Sequence, residues 1–372
     1  MKKSICIISA AVLLASLLLG GCTKNPFSRK GELITFGTVS AGSLTRAAYG
    51  DDFTPDGATT PTLQRIDWES GDMVRIVSDY ARVVNNGSNA VFADYTVSTV
   101  TPEADGSSSG AVVNTNPNGL AWTDADSYTF WAVYPSTTTI SNAGVVSDVN
   151  FITATQTQPT ESTSKTVGTG DDAITYAVYT PALTNAVMTA VAKGVKESDA
   201  KPQVKLHFKP AWTAIEFNLS SQDEAIKLTQ IQLVADAESS DYLAGSFSMT
   251  AGDLSTVDVD TDNASNKASK TVTMAANATL TKTEGVSLTM FLLPVANTSA
   301  LKFRLTSEEG TGTKTSFVNL TKNGQPFVFE AGKKYRINGF KAPGSSWKIF
   351  IATDIMNVDD WGDPVDTEII VE

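Results

Sequence analysis

The amino-acid sequence predicts an all-β protein, and both its composition and the positions of its turn-forming residues support that class. Ser, Thr, Asn, Val and Ala dominate the 372 residues, while long amphipathic stretches are few. The β-branched residues Val and Thr favour strands. Short apolar stretches alternate with Gly, Pro, Asn and Asp, which are typical of turns. Short strands at this spacing indicate sandwiches or barrels, and the sequence contains no helical heptads and no exact internal repeat.

The first 22 residues predict a lipoprotein signal peptide. Lys2 and Lys3 give a positive start, residues 5–19 are almost entirely apolar, and two glycines precede Cys22. The apolar run is too short for a stable membrane span, which favours a secretory signal. Lipoprotein signal peptidases accept small residues before a cysteine. We therefore expect removal of residues 1–21 and acylation of Cys22, with an ordinary secretory signal as the alternative.

The composition of the processed chain excludes several classes of partner. Removal of Lys2 and Lys3 with the signal changes the net charge from −12 to −14. So acidic a chain is a poor candidate for binding nucleic acid. Cys6 leaves with the signal and Cys22 is lipidated, so we expect no disulfide. After the signal no apolar run approaches 18 residues, so we expect no further membrane span.

The strands expected in the first half begin after a flexible tether at residues 23–31. Residues 32–39 (ELITFGTV) predict a short strand with Ile34 and Phe36 on one face. Residues 101–110 predict a hairpin-like loop, and the Thr-, Gln-, Ser- and Gly-rich stretch 153–172 is predicted to be mobile. Further strands are predicted at residues 73–77, 90–97, 128–134 and 186–191.

A domain boundary is predicted in residues 193–203, which are charged, contain Gly and Pro, and have few apolar side chains. The prediction divides the chain into an N-terminal domain at 47–200 and a C-terminal domain at 201–372, each large enough for a sandwich. Past the boundary, alternation places two sets of side chains inward, namely Val204, Leu206 and Phe208, then Ile215, Phe217 and Leu219. More strands are predicted at residues 228–234, 246–249, 272–274, 287–293, 301–306, 317–320, 332–337 and 347–352.

The last residues predict one further strand with a marked alternation. Val365, Thr367, Ile369 and Val371 fall on one face at a period of two. An uncovered strand with such a face is an aggregation hazard, so we expect something to cover it. An edge strand of the chain's own second domain is the alternative interpretation.

The sequence lacks the groups that common catalytic and metal sites need. His207 is the only histidine, and alternation points it away from the core, so neither a Cys-His pair nor a zinc site is expected. No nucleophile-elbow sequence accompanies it. Residues 258–262 resemble the start of a calcium loop but lack Gly at the sixth position and Glu at the twelfth. We expect a solvated acidic turn there, leave weak cation binding open, and expect no cofactor, no metal and no enzyme activity.

The motifs occur in an order that resembles the fimbrillin family of Bacteroidales, the subunits of major and minor fimbriae. The resemblance covers nearly the whole chain and rests on these elements in sequence: the signal ending at Cys22, ELITF at 32–36, LTRA at 44–47, DWESGD at 67–72, FWAVYP at 130–135, VKLHFKPAWTAIEFNL at 204–219, FEAGKKYRING at 329–339, and Trp361.

The resemblance implies a fold and a route of assembly. It implies two transthyretin-like antiparallel β-sandwich domains and export as a lipoprotein of the outer membrane. It also implies cleavage by an arginine-specific protease, for which the matching position is Arg46, before Ala47. That cut would release residues 22–46, the tether and the removable first strand, and open a groove for a donor strand. In the family the donor is C-terminal, which matches residues 365–371 here.

The leading interpretation is therefore a fimbrial shaft subunit that supports adhesion and binds other copies of itself or related subunits. The alternative is a lipid-anchored tip or anchor adhesin, or a surface lipoprotein, that binds a host or bacterial receptor such as a glycan. In that case Trp122, Trp131 or Trp347 would serve as stacking platforms, although each also suits a core. An extracellular hydrolase that uses carboxylates is a third and minor interpretation.

Overall fold

The computed structural model describes most of the chain between residues 31 and 352. The described residues are 31–40, 48–53, 63–83, 90–102, 108–113, 119–160, 162–181, 183, 185–198, 200, 203–222, 224–238, 240–293, 301–322, 325–326, 329, 332–342 and 347–352. The predicted signal peptide, Cys22, the Arg46–Ala47 position and the predicted donor strand at 365–371 lie outside them.

Twenty-eight strands in the described residues confirm the all-β class. The first fifteen are β1 (Phe36–Ser40), β2 (Ala48–Phe53), β3 (Leu63–Asp67), β4 (Met73–Ser78), β5 (Arg82–Val83), β6 (Phe92–Pro102), β7 (Ser108–Val113), β8 (Leu120–Ala121), β9 (Tyr128–Tyr134), β10 (Thr139–Ile140), β11 (Val145–Val149), β12 (Thr155–Gln156), β13 (Thr163–Val167), β14 (Ile174–Tyr179) and β15 (Met188–Val195).

The remaining strands follow without an intervening helix in the described residues. They are β16 (Val204–His207), β17 (Lys209–Pro210), β18 (Thr213–Ser221), β19 (Ile226–Ala235), β20 (Ser246–Thr250), β21 (Asp253–Asp260), β22 (Thr271–Leu280), β23 (Glu284–Leu292), β24 (Leu301–Glu309), β25 (Gly312–Lys322), β26 (Gln325–Pro326), β27 (Lys334–Lys341) and β28 (Trp347–Ala352). The described part of the chain holds one 3₁₀ turn, Gly170–Asp172, and none of its helices has the length and apolarity of a membrane span.

An eight-stranded sheet in the order β16-β1-β7-β6-β4-β9-β15-β17 forms the first part of the fold. Its two edge strands, β16 and β17, are separated in sequence only by Phe208. The sheet therefore curls until its opposite edges lie along one segment of chain, and β16 contacts β15. The curl encloses a core of large side chains that are almost entirely buried, among them Trp68, Tyr128, Phe130 and Phe208.

Two six-stranded sheets pack face to face in the second part of the fold. One has the order β12-β22-β19-β24-β25-β26 and the other β13-β14-β23-β18-β27-β28. The rings of Phe217 on β18 and Phe303 on β24 meet edge to face, with centroids 4.9 Å apart. Ile215, Phe217 and Leu219 are fully buried, as the alternation of the sequence predicts. This arrangement is a β-sandwich.

A four-stranded sheet, β10-β11-β20-β21, joins the two parts. Its β20–β21 hairpin leaves the sandwich between β19 and β22 and pairs through β20 with β11. The backbone N–H of Gly252 in this hairpin donates to the hydroxyl of Thr189 on β15, at 3.0 Å. A Cβ at Gly252, which has φ +77°, would overlap Val191, so glycine permits this close approach.

The predicted boundary at residues 200–201 does not coincide with a division between sheets. β16 and β17 lie beyond it but belong to the eight-stranded sheet. In the other direction, β12, β13 and β14 precede it but belong to the sandwich. The domain division itself stays a prediction.

The stretch predicted to be mobile, 153–172, instead contains β12 and β13. The side-chain amide of Gln156 acts like a strand backbone toward β23. Its Nε2 donates to the Phe291 carbonyl at 2.8 Å, and its Oε1 accepts from the Phe291 N–H at 2.9 Å. Gln158 donates in the same way to the Thr289 carbonyl, at 2.9 Å. These bonds attach a polar, turn-like sequence to the sandwich.

A buried ion cluster joins β18 to β27 on the face of the sheet opposite Phe217. The carboxylate of Glu216 bonds Lys334 Nζ through one oxygen and Arg336 Nε, at 2.9 Å, through the other. Glu216 is 8% exposed and Lys334 2%. Burial alone would raise the pKa of Glu216, but attraction by the two cations and their hydrogen bonds outweighs it and lowers the pKa to about 2.

We expect Glu216→Gln to lower the free energy of unfolding by about 3–5 kcal/mol at pH 7, because Lys334 and Arg336 both lose the carboxylate that they contact inside the fold. Since the pKa is lowered on folding, the stabilisation is present above about pH 4.5 and is lost as the pH falls toward about 2. Urea unfolding at several pH values should show the gap between wild type and variant closing over that window. Glu284→Gln, at an exposed position, is the control; a gap that stays constant with pH would contradict the prediction.

Candidate functional site

Strand β1 is hydrogen-bonded along both edges, which makes it an internal strand of the curled sheet. It runs parallel to β16, with Phe36 opposite Val204, and antiparallel to β7, with Phe36 opposite Val112. Just before β1 the chain also pairs with the segment around β8. The N–H of Ile34 donates to the Leu120 carbonyl at 2.8 Å. Residues 31–40 therefore satisfy backbone groups of three other segments.

The side chains of this segment enter the core at alternate positions. Ile34 and Phe36 are buried, as predicted, and so is Thr38. The Phe36 ring meets Tyr95 and Phe130 edge to face, with centroid distances of 5.3 Å and 5.2 Å. Removal of β1 would therefore expose an aromatic pocket together with two strand edges.

Tyr95 forms part of the floor of this pocket and stays neutral. Its hydroxyl oxygen accepts a hydrogen bond from the Leu120 N–H at 2.9 Å. Burial raises the pKa of Tyr95 well above its ordinary value, although the Leu120 bond opposes that shift. A neutral, hydrogen-bonded phenol keeps the pocket free of charge, which suits an apolar side chain.

The middle of β1 contacts neighbouring segments through Gly37 and Thr38. A Cβ at Gly37 would overlap the side chain of Gln203, which covers this position. The Thr38 hydroxyl donates to the Gly110 carbonyl of β7 at 3.3 Å. We call the groove that β1 fills between β7 and β16 the β1 groove.

The other candidate residues are His207 and three tryptophans, and they differ in how exposed their side chains are. His207 is exposed on β16, opposite Val39. Trp122 and Trp347 are buried, and Trp131 is half-buried against the core. They are thus poorly placed as open stacking platforms.

The acidic run 258–262 lies on and just after β21. There the Asp262 N–H donates to Asp260 Oδ1 at 3.0 Å, which closes a local turn. Within the described ranges, His, Cys, Asp and Glu form no group of three or more that is able to hold a metal ion.

Sequence reasoning found the inward face of the first strand but missed its neighbours. The alternation of Val204 and Leu206 predicts a strand, yet nothing local shows that it pairs in parallel with β1. The bridge between Leu33 and Ala121 was likewise missed. The only signal for it is the short apolar run at residues 120–122.

The described residues form a curled sheet joined to a β-sandwich, and β1 is an internal strand of the curled sheet. The sequence matches the fimbrillin-like family over residues 45–339, and the chain belongs to that family. The match includes the Arg46–Ala47 position but neither β1 nor the predicted donor strand. Membership supports a fimbrial or adhesion role at the cell surface.

Solved structures similar to this chain come from Bacteroides and Porphyromonas species. A proposed cell adhesion protein of Bacteroides uniformis is 14% identical to this chain, with a TM-score of 0.48. The match covers 89% of this chain and 100% of the Bacteroides uniformis protein. A proposed cell adhesion protein of Bacteroides ovatus is 15% identical with a TM-score of 0.44, covering 88% and 99%. The tip fimbrial protein Mfa3 of Porphyromonas gingivalis is 10% identical with a TM-score of 0.37, covering 87% and 100%. No curated protein matches the sequence.

We expect Phe36→Ala in the uncleaved chain to reduce the free energy of unfolding by about 3–5 kcal/mol, because it empties the pocket against Tyr95 and Phe130. Leu33→Ala is the matched control, since Leu33 is 52% exposed and should change stability by no more than about 0.5 kcal/mol. Chemical denaturation of both variants measures the difference. Equal effects would show that β1 is not held by its inward side chains.

Proposed function

We propose that this protein is a structural subunit of a cell-surface fimbria that is exported as a lipoprotein, cleaved after Arg46 and polymerised by donor-strand exchange. The observation that carries the proposal is the position of β1. It is an internal, buried strand that lies wholly before Arg46, so one cut separates it from the rest of the sheet.

The spacing of elements around Arg46 suits such a cut. β1 ends at Ser40, and β2 begins at Ala48, only two residues after Arg46. Cleavage would leave the β2–β3 hairpin intact while it frees the whole of β1. The same cut separates the subunit from Cys22, so loss of the lipid and opening of the β1 groove would be one event.

The predicted donor strand repeats the alternation of the inward side chains of β1. Inward side chains of the first strand occur at Ile34, Phe36 and Thr38, two residues apart. Val365, Thr367, Ile369 and Val371 repeat that spacing. Each apolar side chain that docks contributes roughly 1.5–3 kcal/mol before ordering costs. A donor that copies the direction of β1 would run antiparallel to β7 and parallel to β16, and would satisfy both edges.

The partners in this proposal are other copies of the chain or related fimbrial subunits, an arginine-specific protease, and the outer membrane reached through the lipid. A subunit that escapes cleavage keeps β1 and its lipid and has no open groove. That state corresponds to an anchor or tip subunit, which is the second candidate function. The mature N-terminus, Cys22 or Ala47, distinguishes the two in cells.

We expect Cys22→Ala to abolish lipidation, because the processed chain has no other thiol to form the thioether. The precursor should accumulate or be mislocalised. Metabolic labelling with a fatty acid, followed by immunoprecipitation of wild type and variant, measures this directly. Equal labelling of both proteins would rule out acylation at this residue.

We expect protease-treated wild-type protein to form long polymers and a chain lacking residues 365–372 to remain monomeric after the same cut. Ile369→Asp should also prevent assembly, because it places a charge in an apolar pocket. Ile370→Asp is the matched control, since its side chain falls on the opposite face of the strand. Electron microscopy and size-exclusion chromatography report the result.

Two further samples sharpen the assembly test. An Arg46→Ala chain should stay uncut and monomeric, and a synthetic peptide of residues 32–39 should compete for the β1 groove of cut protein. If the truncated, cut chain still forms long polymers, residues 365–371 are not the donor.

A further inference from the structure

A second concave surface lies outside the β1 groove. It is an open cleft bordered by the turn after β9 (residues 135–139), the end of β11 with the residues that follow (148–151), and residues 185–187 before β15. We call it the threonine cleft. Its volume of about 380 Å³ falls in the range of small-ligand sites. Loops that a rigid scaffold holds in place commonly carry binding residues.

The rim of the threonine cleft consists of neutral groups that both donate and accept hydrogen bonds. Thr137 and Thr139 supply exposed hydroxyls, while Asn150 and Asn185 supply exposed amides. Among the described residues, no lysine, arginine or histidine lines the cleft. Such a rim matches a ligand whose own groups also donate and accept, as hydroxyls do.

The floor of the cleft is apolar and held rigid from behind. Val149 and Val187 are buried, and Phe151 is half-buried. The Phe151 ring packs against Phe291, with centroids 4.9 Å apart, and against Trp212, at 6.1 Å. A fixed aromatic ring at the floor of a polar cleft offers a surface for the C–H face of a sugar ring.

Asp148 brings one charged group to the cleft in an unusual backbone conformation. Its φ is +56°, in the left-handed region that non-glycine residues rarely adopt, at an irregularity of β11 between Val146 and Val149. Asn150 Nδ2 donates to the Asp148 carbonyl at 2.9 Å. No hydrogen bond from another described residue engages the Asp148 carboxylate. Strained residues of this kind cluster at functional sites.

The composition of the cleft excludes other ligand classes. One carboxylate with neutral neighbours does not build a calcium or zinc site. The Asp148 charge and the net charge of −12 disfavour anionic ligands. From these observations we propose that the threonine cleft binds a neutral saccharide. The Asp148 carboxylate accepts from two adjacent hydroxyls, the rim amides and hydroxyls bond the others, and Phe151 packs against the ring.

The test uses the full purified chain on an array of neutral, sialylated and sulfated oligosaccharides, followed by titration calorimetry with the neutral oligosaccharide that binds best. We expect Asp148→Gly to weaken binding at least about tenfold, since glycine keeps the left-handed backbone and removes only the carboxylate. Asn185→Ala should weaken it similarly. Asn277→Gly is the matched control, because Asn277 is the other described non-glycine residue with positive φ (+44°) and lies outside the cleft.

Thermal unfolding of each variant shows whether the fold is intact, and the second substitution decides the matter if Asp148→Gly unfolds. Absence of binding to every neutral oligosaccharide, preference for the charged ones, or equal affinity in Asp148→Gly, Asn185→Ala and wild type would each overturn the proposal. The inference is independent of strand exchange, because an Arg46→Ala chain retains the cleft and should bind the saccharide equally.

Discussion

The pairing of β1 with β7 on one side and β16 on the other is the constraint on which the first part of the structure depends. β16 has no other ladder partner among the described strands. It is also the start of the segment that closes the curled sheet, since β17 follows after one residue. Buried backbone groups must be paired, so any strand that replaces β1 must restore both ladders. A strand that took the place of β1 would therefore have to match the sheet through its backbone as well as fill the pocket of Phe36.

The sequence predicted those elements whose signal is local. Alternation placed Tyr128–Tyr134 and Trp347–Ala352 at the bounds the structure shows, and it gave the inward face of Ile34 and Phe36. Partners that are distant in sequence were not predictable, because alternation identifies a face but not a neighbour. Gln156 shows another limit of prediction from sequence. Its side-chain amide makes the hydrogen bonds to the Phe291 backbone that a neighbouring strand would make, and so attaches a polar stretch to the sandwich.

Strand β18 is buried on both faces, one of which is apolar while the other carries an ion cluster. Phe217 and its neighbours pack into the sandwich, while Glu216 meets Lys334 and Arg336 on the other side. An apolar face tolerates several arrangements of similar volume, but an ion pair is satisfied in only one. The carboxylate therefore favours the register of β18 against β27 in which it meets both cations, while hydrophobic burial supplies most of the stabilisation.

The sharing of strands between the two parts of the fold has a mechanical consequence. The chain passes between the curled sheet with its attached four-stranded sheet and the sandwich five times, after β11, β14, β17, β19 and β21. Two bodies joined by one linker are free to bend about that linker. Five connections at different points restrain bending in every direction. Each subunit should transmit tension as a stiff rod, so flexibility in a fibre of such subunits would be confined to the junctions between them.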